Sequence, residues 1–288
     1  MEHLIDLEHG GTTGAIAAYV VDLDGLAVID CGPGSCADAL QSGLERVGIA
    51  LTDVEHLLLT HIHPDHAGGA GELVRRHPEL VVHVHEIGAP HLADPTKLIH
   101  SAGRLYGDQL VPLFGEILPV PETSIRVLCD SVCGFDVLPA AGHAGHQVAF
   151  IDDAGSCYPG DAVGVLLSPG EFLYPAAAPP EIDMVAWQHT LDELDRRDLS
   201  VFRLPHFGEV SNVSDHISRV RTRLERWGTA IQAGQSEEDF VTELHAALAE
   251  EAPLEMAQAF PAMPYPTFAQ SYAGVKRYYD KQREAAAR

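Results

Sequence analysis

The chain has 288 residues, of which 46% are hydrophobic and 21% are charged, so it can bury a sizeable core and has the composition of an ordinary globular protein. The 42 acidic and 18 basic residues give a formal net charge of −24, which disfavours a nucleic-acid partner and an anionic membrane surface. Because the chain has no transmembrane-length apolar run, no signal-peptide pattern at its start and no disulfide-framework spacing among its five cysteines, we expect a cytoplasmic protein with reduced thiols.

The first predicted elements are a β-hairpin and a β-α-β unit. Two apolar, β-branched runs at residues 15–21 and 26–30 are separated by an Asp-Leu-Asp-Gly turn, which predicts the hairpin. Ser35 can cap a helix that runs to about Val47. The continuous apolar character of residues 53–59 then predicts a buried strand.

A dense cluster of metal-ligating residue types follows this strand. The sequence Thr-His-Ile-His-Pro-Asp-His-Ala-Gly-Gly occupies residues 60–69. Residues two apart point the same way in extended backbone, so His61 and His63 can bind one ion from the same side. Asp65 and His66 begin the turn that follows and form a second ligand set, which faces another direction. Imidazole and carboxylate ligands suit zinc, and also manganese or iron.

A second His-x-His pair lies in the next predicted strand, at residues 81–85. His83 and His85 are not followed by an Asp-His pair, and Ala89 occupies the position where a zincin motif has its second histidine. We therefore expect that His85 does not bind the metal. The mixed polarity of residues 94–107 predicts a helical insertion, which either lines a substrate pocket or covers the sheet.

The second half of the chain presents further candidate ligands at the ends of strands. Strands are predicted at residues 124–128, 135–139, 147–152 and 199–204, the last of them preceded by a helix at 183–197. A glycine-rich loop presents His143 just past a strand end, and His146 follows three residues later. Asp161 belongs to a Gly-Asp pair, and His206 follows the last of these strands.

Cys129 and Cys133 are close enough in sequence to meet across the turn at residues 130–131. A metal-binding or redox role for this pair is conceivable. Two small buried residues are the preferred interpretation, because free cysteine behaves as a small hydrophobic side chain.

The chain becomes helical after Gly208. Helices are predicted at residues 213–232, 237–250 and 268–288, and their charged faces are expected to face solvent. Core packing is the preferred role for four tyrosines of this region, and lining of an active site or contact in a homodimer are the alternatives. These residues are Tyr265, Tyr272, Tyr278 and Tyr279.

Taken together, these motifs resemble the metal-binding signature of the metallo-β-lactamase superfamily. Residues 60–71 are especially similar to hydrolase branches related to glyoxalase II, and residues 82–108 resemble a poorly characterised microbial branch. The resemblance extends to His206. It implies an α/β fold, a four-layer αββα sandwich over residues 1–208, with a helical C-terminal extension over residues 209–288 packed on the same domain.

The resemblance also implies seven ligands for two divalent ions. One ion is bound by three imidazoles, the other by two imidazoles and a carboxylate, and a second carboxylate bridges the two ions. The three imidazoles of the first ion are those of His61, His63 and His143. The second ion takes His66, His206 and Asp65, and the bridging carboxylate is that of Asp161. Asp30 is expected to support the site from behind, and His146 to be a hydrogen-bonding neighbour. Zinc is the preferred ion, with manganese and iron as alternatives.

The reaction expected from this ligand set is hydrolysis of an ester, thioester or lactone in a small-molecule substrate, by a hydroxide activated between the two ions. Asp65 is the expected catalytic residue, which orients the nucleophile. A true β-lactamase is disfavoured because those enzymes generally lack the carboxylate that Asp161 provides. The runner-up is a persulfide dioxygenase with one iron at the positions of His61, His143 and Asp161. A phosphodiesterase fits the charge poorly, and a non-enzymatic metal-binding module is disfavoured by the intact ligand set.

Overall fold

The computed structural model describes residues 2–167, 172–252 and 267–287. The strands in these ranges are β1 (Glu2–Asp6), β2 (Ala17–Asp22), β3 (Leu26–Ile29), β4 (His56–Leu58), β5 (Val81–Val84), β6 (Ile125–Val127), β7 (Ser131–Val132), β8 (Phe135–Pro139), β9 (Val148–Ile151), β10 (Ser156–Tyr158), β11 (Val165–Leu167), β12 (Phe172–Tyr174), β13 (Val201–Leu204) and β14 (Gly208–Val210). The α-helices are α1 (Ala37–Arg46), α2 (Pro64–Ala67), α3 (Ala70–Arg76), α4 (Ala89–Ala93), α5 (Thr96–Tyr106), α6 (Leu110–Phe114), α7 (Met184–Asp195), α8 (Val213–Gln232), α9 (Glu237–Glu251) and α10 (Phe268–Ala286).

Two sheets form the centre of the fold. Over the described ranges, the first sheet contains β1 to β6 in chain order, with β1 to β3 antiparallel and β3 to β6 parallel. The second sheet has the order β14-β13-β10-β9-β8-β7 and is antiparallel except for the β10–β13 pair. Strands β11 and β12 form a separate hairpin.

Side-chain alternation along the strands creates a core on both faces of each sheet. In β2, Tyr19 and Val21 face the gap between the sheets, whereas Ala18 and Val20 face the helices. Helices α1, α3 and α4 cover the outer face of the first sheet, and α7 to α10 cover that of the second. The predicted four-layer αββα arrangement is thereby confirmed.

The helices after β14 share one core with α7 and with the β11–β12 hairpin. Tyr272 and Tyr278 are buried in this core, and Tyr279 packs against it, while Tyr265 lies outside the described residues. No helix in the described part of the chain combines the length and the apolar character that crossing a membrane requires.

Several boundaries differ from the sequence-based expectation. The helix expected from Ser35 begins at Ala37, after a 3-10 turn at Gly34–Cys36. The strand expected at residues 53–59 is shorter, because a 3-10 turn occupies Leu51–Asp53. Strands β1, β7, β11, β12 and β14 were not predicted, and all of them except β1 have only two or three residues.

Candidate metal centre

Loops at one edge of the two sheets bring the predicted ligands together. These loops follow β4, β8, β10 and β13. The seven side chains form two groups, and within each group the potential ligand atoms lie within 4.8 Å of one another. The first group is His61, His63 and His143, and the second is Asp65, His66, Asp161 and His206. The convergence matches the sequence-based expectation, whereas ion binding by these residues stays a prediction.

The first group directs three ring nitrogens at one point. His63 Nδ1 lies 3.0 Å from His61 Nε2 and 2.9 Å from His143 Nε2. His143 Nδ1 donates a hydrogen bond to the Ala176 carbonyl (2.6 Å), so its Nε2 carries a lone pair. The Thr60 hydroxyl donates to a carboxylate behind it and can therefore accept from His61 Nδ1 (3.1 Å), which leaves His61 Nε2 bare as well. Lone pairs at these distances are stabilised by a cation between them.

The second group has the same property. His66 Nδ1 donates to Asp30 Oδ2 (2.9 Å), and His206 Nδ1 donates to the Ala15 carbonyl (2.8 Å). The two Nε2 atoms are 3.2 Å apart, and as neutral imidazoles neither has a proton to donate to the other. Asp65 Oδ2 lies 3.4 Å from His66 Nε2 and 3.3 Å from His206 Nε2. Two lone pairs and a carboxylate oxygen therefore face one point.

Asp161 lies between the two groups. Its Oδ1 is 3.5 Å from His66 Nε2 and 3.8 Å from His206 Nε2, and its Oδ2 is 3.7 Å from His143 Nε2. Within the described residues, Oδ1 is buried and has no hydrogen-bond partner. A buried carboxylate oxygen without a partner is costly, and a cation at this point would remove the cost. The donor set therefore fits divalent metal ions, and Asp161 directs one carboxylate oxygen towards each group.

The electrostatics of the metal-free site also favour cations. Burial and the neighbouring imidazoles lower the pKa of His61 and of His63 well below the usual value. Although burial acts in the opposite direction, His66 holds the pKa values of Asp65 and Asp161 low. Although burial lowers it, these two carboxylates raise the pKa of His66 well above its usual value, so the second group attracts positive charge.

The family model of the metallo-beta-lactamase superfamily matches residues 11–201. The chain belongs to the metallo-β-lactamase superfamily. The probable metallo-hydrolase YqjP of Bacillus subtilis (strain 168) is 27% identical over 234 residues, which cover 72% of this chain and 71% of YqjP.

Two solved structures extend the comparison to the fold. The metallo-beta-lactamase family protein TTHA1429 from Thermus thermophilus aligns with a TM-score of 0.67 and 21% identity, over 99% of this chain and 94% of that protein. TTHA1623, solved in a di-iron-bound form, aligns with a TM-score of 0.53 and 24% identity, over 69% of this chain and 91% of that protein. The metallo-β-lactamase fold is therefore shared, and the alignment with TTHA1429 extends over nearly the whole of this chain.

Asp30 holds two residues of the ligand motif by hydrogen bonds on the side that faces away from the ligand groups. It adopts a positive φ of 51° at the end of β3 and is buried. Its carboxylate accepts hydrogen bonds from Thr60 N (2.8 Å), Thr60 Oγ1 (2.7 Å) and His66 Nδ1 (2.9 Å). One carboxylate thus holds both the start of the ligand loop and one of its imidazoles, which is the role that the resemblance implied.

Glycines directly before two of the predicted ligands allow close approach of the backbone. Gly142 precedes His143, and a Cβ there would lie 2.4 Å from the Trp187 Cα. Trp187 in turn donates from Nε1 to the Ala162 carbonyl (2.6 Å) and places its ring 5.7 Å from that of His143. Gly160, directly before the bridging carboxylate, has a φ of 54°, which disfavours any other residue.

The two histidines expected not to bind metal lie in neither group. His85 Nδ1 accepts a hydrogen bond from Ile87 N (3.1 Å). His146 Nδ1 faces Ile62 N at 3.4 Å, and its Nε2 lies 3.4 Å from Glu181 Oε2. Burial, with a contribution from neighbouring histidines, lowers the pKa of His146 to about 3, so its ring is neutral and carries its proton on Nε2.

A cavity leads from both groups to the surface of the protein. Helix α5 contributes one wall, the segment 174–181 a second, and the start of α10 a third. The lining is mainly apolar, and Lys97 and Glu181 are its charged residues beyond the ligand groups. The predicted insertion at residues 94–107 therefore lines a pocket, which was one of the two roles left open for it.

The C-terminal helix α10 holds the second wall in place. Ser271 Oγ accepts a hydrogen bond from Ala177 N (2.9 Å), and a Cβ at Gly274 would lie only 1.9 Å from the Ala177 carbonyl oxygen. The adjacent Ala176 carbonyl is the acceptor for His143 Nδ1. Sequence reasoning missed this support, because a small residue facing a backbone carbonyl leaves no pattern in the sequence.

Proposed function

We propose that this chain is a dinuclear metallo-hydrolase that cleaves an ester, thioester or lactone bond in a small-molecule substrate. The observation that carries the proposal is the position of Asp161, which directs one carboxylate oxygen at each ligand group. A carboxylate placed in this way can hold two ions at adjacent positions. Zinc is the preferred ion, and the di-iron form of the similarly folded TTHA1623 supports iron as the first alternative.

The residues that would hold the ions are the seven of the two groups. When bound, the ions would supply Lewis acidity, which lowers the pKa of a water molecule to near neutrality and polarises a carbonyl group. Asp65 lines the cavity beside the second group. Its carboxylate can accept a hydrogen bond from the attacking water and orient it.

The cavity wall supports a neutral carbonyl substrate with an apolar portion. Leu98, Leu105 and Tyr106 of α5 face Ala177 and Pro179 of the opposite wall. Such a lining binds an acyl chain or a lactone ring by burial of apolar surface. It offers few cations for a phosphodiester, which agrees with the net charge of −24.

His146 supplies a polar group within this apolar wall. Because its Nδ1 faces the Ile62 N–H, Nε2 carries the ring proton. The side chain is buried and lines the cavity. Its Nε2–H can therefore donate a hydrogen bond to the leaving group or to the acyl part of the substrate, in exchange for its present neighbour Glu181.

The test combines metal analysis with a substrate panel. Protein purified without added metal, and then loaded with zinc, manganese or iron, is assayed on thioesters, lactones and aryl esters. We expect two ions per chain that depend on Asp161, with turnover on one of the carbonyl classes. A single iron with oxygen uptake on a persulfide would instead identify a dioxygenase, and no turnover on any carbonyl substrate would overturn the hydrolase.

A further inference from the structure

A second cluster of potential ligands lies outside the metal centre, and we call its three residues, His56, His83 and Cys133, the edge cluster. His56 begins β4, His83 lies in β5, and Cys133 lies in the turn between β7 and β8. The nearest nitrogen and sulfur atoms of the three side chains lie within 4.8 Å of one another. His83 Nε2 is 3.2 Å from His56 Nδ1. The proposed hydrolase uses none of these residues.

Strand alternation explains how the edge cluster forms. Leu58 faces the core between the sheets, so His56, two residues earlier on β4, faces the same side. Val82 faces the helical layer, so the next residue, His83, faces the gap between the sheets. Cys133 packs against the same inter-sheet core from the second sheet. The edge cluster therefore bridges the two sheets at the margin of the sandwich.

The donor set is suited to a borderline-soft divalent ion. Two imidazoles and one thiolate are ligands that Zn²⁺ takes in a tetrahedral site, with water at the fourth position. All three side chains are partly exposed, so an ion and its water can reach them.

The charges around the edge cluster also favour a cation. Burial raises the pKa of the Cys133 thiol to about 11, and the negative charges of Asp24 and Glu55 add to this rise. The neighbouring cation is Arg126, and its guanidinium is engaged by the Thr123 and Ile125 carbonyls. Among the described residues, two carboxylates and the Arg126 guanidinium therefore act on the cluster. Burial, His56 and Arg126 together lower the pKa of His83 to about 4, so its imidazole is neutral and free to bind an ion.

We propose that the edge cluster is a third metal site, which binds one borderline-soft divalent ion such as Zn²⁺ and links the first sheet to the second. On binding, the Cys133 thiol releases its proton to solvent, and its sulfur forms a bond to the ion without any change of oxidation state. Since the three ligands converge in the folded chain, the bound ion stabilises the fold. None of the three residues lines the substrate cavity, so we expect the bound ion to affect stability and not turnover.

Cobalt(II) provides a probe that separates this site from the metal centre. The seven predicted ligands of the centre include no sulfur, so a thiolate-to-cobalt charge-transfer absorption reports on a cysteine ligand alone. Metal-stripped full-length protein is titrated with Co²⁺ while this absorption and the number of bound ions are followed. We expect a third equivalent that carries the charge-transfer band, together with a higher melting temperature.

Variants test which residues are responsible. Cys133→Ser should abolish the band and one equivalent of Co²⁺, while the two ions of the centre and turnover remain. His83→Gln and His56→Gln should each weaken the same equivalent, and the exposed Cys129→Ser is the matched control that keeps it. Absence of the charge-transfer band in the wild-type protein would overturn the proposal, and this measurement does not depend on whether a variant folds. Persistence of the band in Cys133→Ser would also overturn it.

Discussion

The metal centre and the edge cluster differ in what holds their imidazoles. At the centre, hydrogen bonds fix the ring nitrogen that points away from the ligand group. This applies to His61, His66, His143 and His206, which contact Thr60, Asp30, Ala176 and Ala15 respectively. In the edge cluster, the hydrogen bond found among the described residues joins the two imidazoles to each other. The centre is therefore organised before any ion binds, and the edge cluster must rearrange.

This difference has a consequence for affinity. Ligands that are already oriented lose less conformational freedom on binding. We therefore expect a chelator to remove the ion of the edge cluster before it removes the pair at the centre.

Replacing Asp161 removes the residue that joins the two ligand groups. Loss of a residue that hydrogen-bonds to a metal ligand typically costs roughly 10- to 100-fold in activity. Asp161→Ala should lower turnover by more than this, and it should abolish paired metal binding. The thiolate-to-cobalt band of the edge cluster should persist. His85→Ala is the matched control, because His85 lies in neither group, and loss of the paired ions in that variant would contradict its assignment.

His216 is a buried imidazole held by a carbonyl, like those of the centre, but it lies outside both clusters. Its Nε2 donates to the Val163 carbonyl (2.8 Å), and burial lowers its pKa from 6.5 to about 4. Below pH 6.5 His216 is protonated in the unfolded chain but remains neutral in the folded chain. The free energy of unfolding therefore falls as the pH drops towards 4, by about 3 kcal/mol at full titration.

The measurement is the free energy of unfolding in urea at pH 7, 5.5 and 4, in metal-stripped protein. In His216→Gln this acid-induced loss should be smaller than in the wild type by the amount that His216 contributes. Since the histidines of the centre are the same in both proteins, their titration cancels in the difference. Parallel pH profiles for the two proteins would contradict the assignment.

Asp30→Asn tests the support behind the centre. The substitution keeps the shape of the side chain but replaces one of its acceptors with a donor, so His66 or Thr60 loses a partner. We expect metal affinity at the centre to fall by about 10- to 100-fold, measured by competition with a chelator. Unchanged affinity would show that the imidazoles do not need this support. The edge cluster should bind Co²⁺ as before.

Gly274→Ala tests the most distant support of the centre. The new Cβ would lie 1.9 Å from the Ala177 carbonyl oxygen, so α10 and the segment 174–181 must move apart, at a cost of about 1–3 kcal/mol. Weaker binding at His143 should accompany this loss. Gly103→Ala in α5 is the matched control, because nothing lies within 4 Å of its Cβ position. Equal stability in both variants would refute the contact.

The ligand loops were predictable because their signals are local. The residues from His61 to His66 follow an apolar strand directly, and small residues after them allow a tight turn. The supporting carbonyls of Ala15 and Ala176 were not predictable, since a backbone acceptor carries no side-chain signal. Only the resemblance separated His143 from His146, because the path of their loop decides which ring reaches the ligand group.

The edge cluster shows a second limit of sequence reasoning. His83 was interpreted through its neighbour His85, and Cys133 through Cys129, as pairs that are close in sequence. The structure instead places His83 and Cys133 beside His56, because the register of two parallel strands and the turn of another sheet meet at one edge. Such a meeting depends on how the two sheets are stacked, which local patterns do not specify.

The contact between Ala177 and α10 also has a consequence for the order of events during synthesis of the protein. A growing polypeptide that has emerged as far as residue 252 already exposes every predicted ligand, but the segment that holds His143 then lacks Ser271 beneath it. Ions captured at this stage would bind an incomplete cage and exchange readily. We therefore expect tight metal retention only after α10 has been synthesised and has docked on Ala177.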